Sequence, residues 1–492
     1  MRVLFVLQEI EDEQLGIMYL SGMLKSKGHN TGLVKSDYKS IVQKLKDGVP
    51  TVLAYSAVAF YVDYYLELNR SIKKDFDIFS VFGGHYPTGK PQILEKEGVD
   101  AVCVGEGELA LLELVDHLSK GEEIRNIKNL WVKKDGKIYR NSLRPLMRNL
   151  DLLPFPDRSL FKIKSPFFYD RISMMTGRGC AYNCQYCYNS TYRRVYKTNN
   201  IYRRRSVNNV IEEIKYVQKN QKVKFILFYD DIFILMPEWI EDFSYKYKKE
   251  INIPFCCYVR INLVTPRIVR LLKEANCYSI SFGLEAGNEH LRNSILSRHM
   301  NEEEIITKAK LFKDAGIKVR TTNIIGIPGG SLGSDIETLK LNIKCRVDFA
   351  KVSMFSVYPN TDFAVAQGDC EGFAKHFDFR PPKIVDILGK YSISASGHFR
   401  RVIHSLAYPQ YGFKNGTERK IIGNLHKLFG ITVSFPFLFP IVKLVIRLPN
   451  NSLFRQINFL WANYCSYFKL YCTCGWFGFL KRIIRHRKAL TQ

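Results

Sequence analysis

The first 120 residues alternate short apolar runs with amphipathic segments, and this alternation restricts the possible folds more than any other feature of the chain. The apolar runs are short enough to be buried strands: RVLFVL, TVLAYSAVAF, DIFSVFGG and VDAVCVGEGE. Other segments carry apolar residues at helical spacing, as in LGIMYLSGMLKSKGH and ALLELVDHLSKG. Buried strands separated by helices are typical of a parallel, doubly wound α/β sheet. We therefore predict a Rossmann-like α/β domain over residues 1–150.

Glycines stand where two of these predicted strands end. Gly83 and Gly84 follow one strand, and Gly105 and Gly107 follow the next. Ligands of doubly wound sheets lie beyond the carboxyl ends of the strands, and glycine lets the backbone approach a ligand closely. The sequence thus predicts a ligand site at this edge without identifying the ligand.

A second series of strands follows a proline-punctuated linker at residues 151–168. Six apolar runs are separated mostly by a helical segment each: ISMMTGRG, KFILFYDD, PFCCYV, YSISFGLEAG, VRTTNIIGIPGG and FAKVSMFSVYP. This order predicts a complete or partial β/α barrel over residues 169–385. In such barrels the chemistry takes place at the carboxyl ends of the strands.

Residues 386–492 differ in composition from the rest of the chain. No Asp or Glu follows Glu418, and the formal net charge of the whole chain is +26. This surplus favours an anionic partner, and the basic, aromatic, amphipathic tail favours peripheral contact with an anionic membrane surface. The alternative is a helical cap packed on the barrel. The apolar stretch is interrupted by prolines and basic residues and is short for a transmembrane helix, which needs about 20 apolar residues.

The chain begins without a signal-peptide pattern, since its first apolar stretch is short and runs into acidic residues. Twelve cysteines in a chain of 492 residues do not suggest a disulfide scaffold. We therefore predict a cytoplasmic, reducing environment, with possible association at the inner face of a membrane, in which clustered cysteines bind metal or do redox chemistry.

Three cysteines lie within eight residues, in the stretch CAYNCQYC. Structural zinc usually takes four protein ligands, and no second pair with a matching loop follows Cys180, Cys184 and Cys187. Thiolates also suit iron–sulfur clusters. Three thiolates can hold three irons of a 4Fe–4S cube, which leaves the fourth iron open to a substrate.

The cysteine loop resembles the signature of the radical S-adenosylmethionine (radical SAM) superfamily, with an aromatic residue just before the third cysteine. GGHYPTGKP and VDAVCVGEGE resemble the turns that cobalamin-dependent members place around cobalamin. FYDDIF, RIN, FGLEAGNEH, IIGIPG and YPNT resemble the later barrel motifs in order and spacing. On this resemblance, residues 1–150 are the cobalamin-binding domain and residues 169–385 the radical SAM barrel.

The resemblance implies a mechanism and its cofactors, which are a 4Fe–4S cluster, SAM and cobalamin. The open iron binds SAM, an electron from the cluster cleaves it to methionine and a 5′-deoxyadenosyl radical, and that radical abstracts a hydrogen atom from an unactivated carbon. In many relatives methylcobalamin then donates the methyl group. An external electron donor such as flavodoxin or ferredoxin is implied, and a small-molecule or lipid-like substrate is expected. The cofactors carry the hard chemistry, and the protein positions them.

The resemblance also assigns residues, by their place in the motifs. The cluster ligands and catalytic residues are Cys180, Cys184 and Cys187. The SAM-binding candidates are Tyr186, Asp231, Arg260 and Glu285; Arg suits the SAM carboxylate and Glu its hydroxyls. The cobalamin-binding candidates are Leu15, Gly16, Gly83, Gly84, Gly105, Glu106, Gly107 and Glu108.

One departure concerns the cobalt lower ligand. Many cobalamin-binding domains place an Asp-x-His-x-x-Gly stretch after the first strand, whereas this chain reads LQEIEDEQLG and has no histidine there. We expect cobalamin with an unligated lower face or another ligand, of which His85 is one candidate. A domain that binds no cobalamin stays an alternative.

Other functions stay open beside C-methylation. A radical cyclase, rearrangement or oxidation enzyme would use the same barrel without methyl transfer. Methylthiolation of tRNA is disfavoured because residues 1–150 contain only Cys103 and thus lack a second cysteine set. A cobalamin or iron–sulfur sensor is the alternative from another class. YRRVYKTNNIYRRRS interleaves arginine and tyrosine as nucleic-acid-binding segments do, but its place in the barrel motif makes nucleic acid an unexpected partner.

Overall fold

The computed structural model describes residues 1–8, 13–59, 61–161 and 170–367. These residues divide into two compact units that are discontinuous in sequence. The first unit contains the described residues of Met1–Lys164, Gly177–Arg205 and Val357–His376, and the second contains those of Ser165–Thr176 and Ser206–Ser356. The predicted helical region 386–492 lies outside the described residues, as do residues 162–168 of the predicted linker.

The first unit contains a seven-stranded sheet with the strand order β2-β1-β3-β4-β5-β6-β7. The strands are β1 (Arg2–Leu7), β2 (Asn30–Lys35), β3 (Thr51–Ser56), β4 (Phe79–Gly83), β5 (Ala101–Cys103), β6 (Leu130–Lys134) and β7 (Lys137–Arg140). The helices are α1 (Leu15–Lys25), α2 (Tyr38–Leu45), α3 (Val62–Asp75), α4 (His85–Gly89) and α5 (Glu108–Lys120). The first five strands are parallel, and β6 and β7 add an antiparallel hairpin. The predicted Rossmann-like domain is confirmed.

Strand β1 shows why this sequence forms a sheet covered on both faces. Val3, Phe5 and Leu7 belong to the core that includes α1 and α5. The alternate residues, Leu4 and Val6, belong to the core on the opposite face, with α2 and α3. All five side chains are at most 2% exposed. Burying one such side chain is worth about 1.5–3 kcal/mol, so the apolar run is stable only between two helical layers.

The second unit is built on a six-stranded parallel sheet with the order β15-β14-β13-β12-β11-β8. The remaining elements of both units follow in chain order as β8 (Arg171–Met174), β9 (Gly177–Arg178), α6 (Tyr188–Tyr196), β10 (Arg203–Arg204), α7 (Val207–Asn220), β11 (Phe225–Phe228), α8 (Pro237–Glu250), β12 (Phe255–Val259), α9 (Pro266–Glu274), β13 (Cys277–Glu285), α10 (Glu302–Asp314), β14 (Lys318–Ile325), α11 (Leu332–Lys344), β15 (Phe349–Met354) and α12 (Asp362–Ala366). Of these, β9, α6, β10 and α12 belong to the first unit. The sheet confirms the prediction of a partial β/α barrel.

The two faces of the second sheet differ in chemistry. One face is apolar: Phe228 and Phe255 pack edge-on against Phe243 and Tyr247 of α8. Side chains alternate along a strand, so the neighbours of these phenylalanines point to the other face. That inner face carries mainly polar and charged side chains, including Arg171, Ser173, Tyr258, Ser279, Ser281, Arg320, Thr322 and Lys351. Among the helices that the structure describes, none is long and apolar enough to cross a membrane.

Candidate active site and cofactor-binding edges

The three clustered cysteines occupy the loop between β9 and α6 in the first unit. Cys184 is buried, whereas Cys180 and Cys187 are partly exposed. The Tyr182 N–H donates to Cys180 Sγ at 3.4 Å, and the Asn189 side-chain amide donates to Cys187 Sγ at 3.7 Å. Cys187 also immediately precedes α6, whose N-terminus favours negative charge. These surroundings suit thiolates.

The donor set fits an iron–sulfur cluster by its chemistry. Three soft thiolate donors come from one short loop, and the local N–H groups point at sulfur. Within the described residues, no three Cys, His, Asp or Glu side chains are gathered closely enough to hold a metal ion. The assignment of Cys180, Cys184 and Cys187 as cluster ligands therefore stays a prediction that rests on donor chemistry and the loop they share.

Two arginines that flank this loop form ion pairs with the acidic turn after β5. Arg178 donates through Nη1 to Glu106 at 3.1 Å and through Nη2 to Glu108 at 2.6 Å. Arg203 donates to the other oxygen of Glu106 at 2.9 Å. Burial opposes ionisation of Glu108, but Arg178 outweighs it and holds the pKa of that carboxyl below its usual value. We name these four residues the Arg–Glu network.

The Arg–Glu network bears on two predicted cobalamin contacts. The side chains of Glu106 and Glu108 are only 15% and 10% exposed, and both are engaged by arginine. Buried carboxylates need such partners, because removing them from water is costly. Contact of either side chain with cobalamin stays a prediction, and the structure assigns both of them a structural role.

Helix α6, which follows the cysteines, contacts two turns of the β4–β5 edge with its tyrosines. The Tyr196 hydroxyl accepts a hydrogen bond from the Glu106 N–H at 2.9 Å. Gly105 has φ +83°, and a Cβ there would lie 2.2 Å from that hydroxyl, so only glycine fits. At the other end of the helix, Tyr188 stacks on His85 with ring centroids 3.8 Å apart. The segment that interleaves arginine and tyrosine thus contributes to packing inside the first unit.

The remaining cobalamin-binding candidates lie along the carboxyl edge of the same sheet. Leu15 and Gly16 open α1, and a Cβ on Gly16 would meet no atom within 4 Å. Gly84 follows β4 with φ +98°, and a Cβ there would lie 3.1 Å from the Ala57 carbonyl oxygen. Gly107 precedes α5. Their common position at the carboxyl ends of parallel strands, with open space at Gly16, fits a bound cobalamin.

Two of the SAM-binding candidates lie at the ends of neighbouring strands in the second unit. Glu285 ends β13 with φ +65°, and the Thr322 hydroxyl donates to its carboxylate at 3.4 Å. Arg260 donates to the Arg298 carbonyl oxygen, and Arg298 donates to the Gly283 carbonyl oxygen at 2.5 Å. Glu285 and Arg260 are both buried. The structure therefore places a carboxylate and a guanidinium at the carboxyl edge of the sheet, as their proposed contacts with SAM require.

The other two candidates differ in surroundings. Asp231 is exposed after β11, whereas its neighbour Asp230 is buried and accepts from the Thr176 N–H at 3.1–3.2 Å and from its hydroxyl at 2.5 Å. Asp230 thus fixes the end of β8 against β11. Tyr186 is partly buried within the cysteine loop of the first unit. Contact of Tyr186 or Asp231 with SAM stays a prediction.

Sequence reasoning missed the residues that support these sites. Arg178, Arg203 and Arg298 were not singled out, although each has a distinct role in the contacts above; Asp230 was placed at a strand end, but its bonds to Thr176 were not foreseen. Arg178 stands two residues before Cys180, so its position was a usable signal. Its partners stand about 70 residues earlier in the chain, which no local pattern reveals.

Comparisons with known proteins agree with this division of roles. Residues 10–115 match the family described as the B12 binding domain, and residues 174–341 match the radical SAM superfamily. An uncharacterized methyltransferase of Pyrococcus horikoshii is 29% identical over 368 residues, which cover 72% of this chain and 78% of that protein. The anaerobic magnesium-protoporphyrin IX monomethyl ester cyclase of Rubrivivax gelatinosus is 24% identical over 434 residues, which cover 82% of this chain and 76% of that protein.

Solved structures share the fold. The radical SAM methyltransferase TsrM from Kitasatospora setae, with cobalamin and a 4Fe–4S cluster bound, aligns with a TM-score of 0.61 at 14% identity, over 92% of this chain and 99% of that chain. The cobalamin-dependent SAM radical enzyme OxsB aligns with a TM-score of 0.61 at 17% identity, over 99% of this chain and 80% of that chain. A radical SAM domain implies a 4Fe–4S cluster and SAM, and a B12 binding domain implies cobalamin. With both domains in one chain, the protein belongs to the cobalamin-dependent radical SAM family of enzymes.

Proposed function

We propose that the protein is a C-methyltransferase, which moves a methyl group from SAM to an unactivated carbon of a small or lipid-like molecule. The observation that carries the proposal is the presence of both cofactor domains in a chain whose relatives include methyltransferases. A further relative, the cytidylyl-2-hydroxyethylphosphonate methyltransferase of Streptomyces wedmorensis, is 23% identical over 363 residues, which cover 65% of this chain and 66% of that enzyme.

The chain's own residues would bind and position the cofactors. When bound, the cluster supplies the electron that cleaves SAM, and cobalamin supplies a methyl group to the substrate. Cys180, Cys184 and Cys187 would hold the cluster. Arg260 would bind the SAM carboxylate through its forked donors, and Glu285 would accept hydrogen bonds from hydroxyl groups.

The proposal includes an external electron donor, such as flavodoxin or ferredoxin, because each cleavage of SAM would consume an electron that the cluster has to regain. The excess of positive charge on the chain would favour an acidic donor. Peripheral membrane contact would involve residues 386–492, which lie outside the described residues.

A cyclase is the second candidate, and one observation favours it. The relative from Rubrivivax gelatinosus that matches 82% of this chain is a cyclase. Such an enzyme would consume SAM without transferring its methyl group to product.

Methyl-deuterated SAM separates the two candidates. The anaerobically reconstituted protein, loaded with cobalamin and supplied with a reductant, is incubated with trideuteromethyl SAM and a metabolite extract. We expect a product three mass units heavier than the one made with ordinary SAM, together with 5′-deoxyadenosine. Formation of 5′-deoxyadenosine with no label in any product would refute methyl transfer and favour the cyclase.

Cysteine variants provide the control for the same assay. The Cys180/Cys184/Cys187→Ala triple variant should lose about four irons and all SAM cleavage. Cys345→Ala removes a buried cysteine outside the loop and should retain both. Equal iron content in the triple variant and the wild type would refute the cluster assignment.

A further inference from the structure

One row of residues crosses the inner face of the second unit's sheet. The strand pairing places Tyr258 beside Ser281, Ser281 beside Arg320, and Arg320 beside Phe349. Tyr229, just after β11, stacks against Tyr258 with ring centroids 5.9 Å apart. The row therefore joins aromatic rings to a hydroxyl and a guanidinium.

Two polar groups of this row are buried without a hydrogen-bond partner. The structure gives no partner among the described residues to Arg320 Nε or to Ser281 Oγ. Ser281 is fully buried. Buried donors that lack a partner are uncommon in folded proteins, and each calls for an explanation, such as a functional role or an unseen water or ion.

Arg158 and Arg178 each form an ion pair with a carboxylate, whereas Arg320 forms none with the described residues. Arg158 pairs with Glu13 at 3.0 Å, and Arg178 pairs with Glu106 and Glu108. The contact described for Arg320 is with the Phe349 ring, whose centroid lies 5.5 Å from its guanidinium carbon. Aromatic contact leaves the donors of the guanidinium available to an anion.

A second guanidinium, that of Arg171, places positive charge near Tyr258. Burial raises the pKa of Tyr258, and the nearby charges of Arg320 and Arg171 both oppose that rise. Burial also raises the pKa of Cys256, which lies two residues before Tyr258 on the same face, and the same two arginines oppose that rise. The inner face therefore carries two positive charges around Tyr258.

We propose that the substrate carries an oxyanion, a carboxylate or a phosphoryl group, which Arg320 and Ser281 bind on this inner face. The forked donors of arginine match the oxygens of either group, and the serine hydroxyl adds a third donor. Arg171 contributes positive charge, and the Tyr229–Tyr258 pair offers a flat apolar surface beside the anion. The inference rests on the proposed function, because it takes this face as the side on which the substrate binds. It adds the chemical class of a group on that substrate.

Equilibrium dialysis of the cluster- and cobalamin-loaded protein with radiolabelled aromatic probes tests the proposal. Benzoate represents a carboxylate, phenylphosphonate a phosphoryl group, and benzamide a neutral molecule of similar shape. We expect at least one anion to bind wild type about tenfold more tightly than benzamide, and the tighter anion indicates the substrate's group. Equal binding of all three probes, or no binding of either anion, would overturn the proposal.

Variants locate the binding. Arg320→Gln should weaken anion binding about tenfold and Ser281→Ala a few-fold. The control Arg270→Gln, at an exposed position on α9, should change nothing. Arg320→Lys keeps the positive charge but loses the forked donors of the guanidinium, so it should bind the anion with intermediate affinity. It replaces the Gln variant if that variant does not fold. Unchanged anion binding in both Arg320 variants would refute the assignment.

SAM binding, measured on the same samples, tests the competing explanation that Arg320 binds the SAM carboxylate. We expect SAM affinity and iron content to match wild type in the Arg320 variants. A parallel loss of SAM affinity would overturn the proposal. Because dialysis requires no turnover, failure of methyl transfer with retained anion binding would refute the proposed function alone.

Discussion

Replacing Arg178 by Met tests the Arg–Glu network most directly. The variant leaves Glu108 without its cation, while Glu106 keeps Arg203 at 2.8 Å. The side chains of Arg178 and Glu108 are only 13% and 10% exposed, so water cannot easily replace the lost partner. Met has a comparable length and can keep part of the packing on Tyr19, whose ring lies 5.1 Å from the guanidinium.

The magnitude follows from leaving one carboxylate buried and unpaired. Breaking a buried ion pair from one side costs about 3–5 kcal/mol. A cooperative unit of about 150–250 residues loses about 2–4 °C in Tm per kcal/mol, so we expect a decrease of about 6–20 °C. The double variant Arg178→Met/Glu108→Gln removes the unpaired charge and should recover part of the loss.

Thermal unfolding followed by circular dichroism measures these effects, with iron content and the electron paramagnetic resonance signal of the reduced cluster recorded on the same samples. Arg125→Met is the matched control, because its pair with Asp135 is exposed and should contribute no more than about 1 kcal/mol. Because Arg178 stands two residues before Cys180, we also expect a changed cluster signal. Equal Tm losses in Arg178→Met and Arg125→Met, with an unchanged signal, would refute the reasoning.

Three further changes have expected outcomes. Gly179→Ala should lower Tm and iron content, because Gly179 has φ +79° and a new Cβ would lie 2.3 Å from a carbonyl oxygen; normal iron content would contradict this. Burial raises the pKa of Asp335 to about 7, so rising pH between about 4 and 7 favours the unfolded chain. As pH rises over that range, the Tm of Asp335→Asn should therefore increase relative to the Tm of wild type. A Tm difference that does not change with pH would exclude the raised pKa. Burial lowers the pKa of His85 to about 4, so wild type should lose stability as pH falls from about 6.5 to about 4. His85→Phe should not show this loss in a pH series of Tm, and parallel curves would exclude it.

Much of the architecture could be predicted from the sequence because buried parallel strands are nearly continuous apolar runs. All six strands of the second sheet and four of the parallel strands of the first correspond to runs visible in the sequence. Strand β2 was missed because it lies at the sheet edge, where only Val34 of its six residues is buried. The β6–β7 hairpin was missed although Asp135 and Gly136 carry the positive φ angles of a two-residue turn, which Asp-Gly favours.

Prediction of the site was limited by pairing over long sequence separations. The motifs identified which residue types lie at the strand ends, because strand ends can be read from the sequence. They could not show that Glu285 adopts φ +65°, or that Arg298 contacts the Gly283 carbonyl oxygen. Both features depend on neighbours from other strands and loops.

The acidic turn after β5 shows why a cofactor-binding motif does not by itself identify cofactor contacts. Its glycine at 105 is required by the Tyr196 hydroxyl, and its carboxylates at 106 and 108 are required by Arg178 and Arg203. Each of these partners lies in the segment that carries Cys180, Cys184 and Cys187. The turn therefore ties that segment to the cobalamin-binding domain within the first unit, whatever its contacts with cobalamin. The Glu108 side chain contacts the arginine beside the cysteine loop. Substitution of Glu108 should therefore change the electron paramagnetic resonance signal of the cluster more than it changes cobalamin affinity.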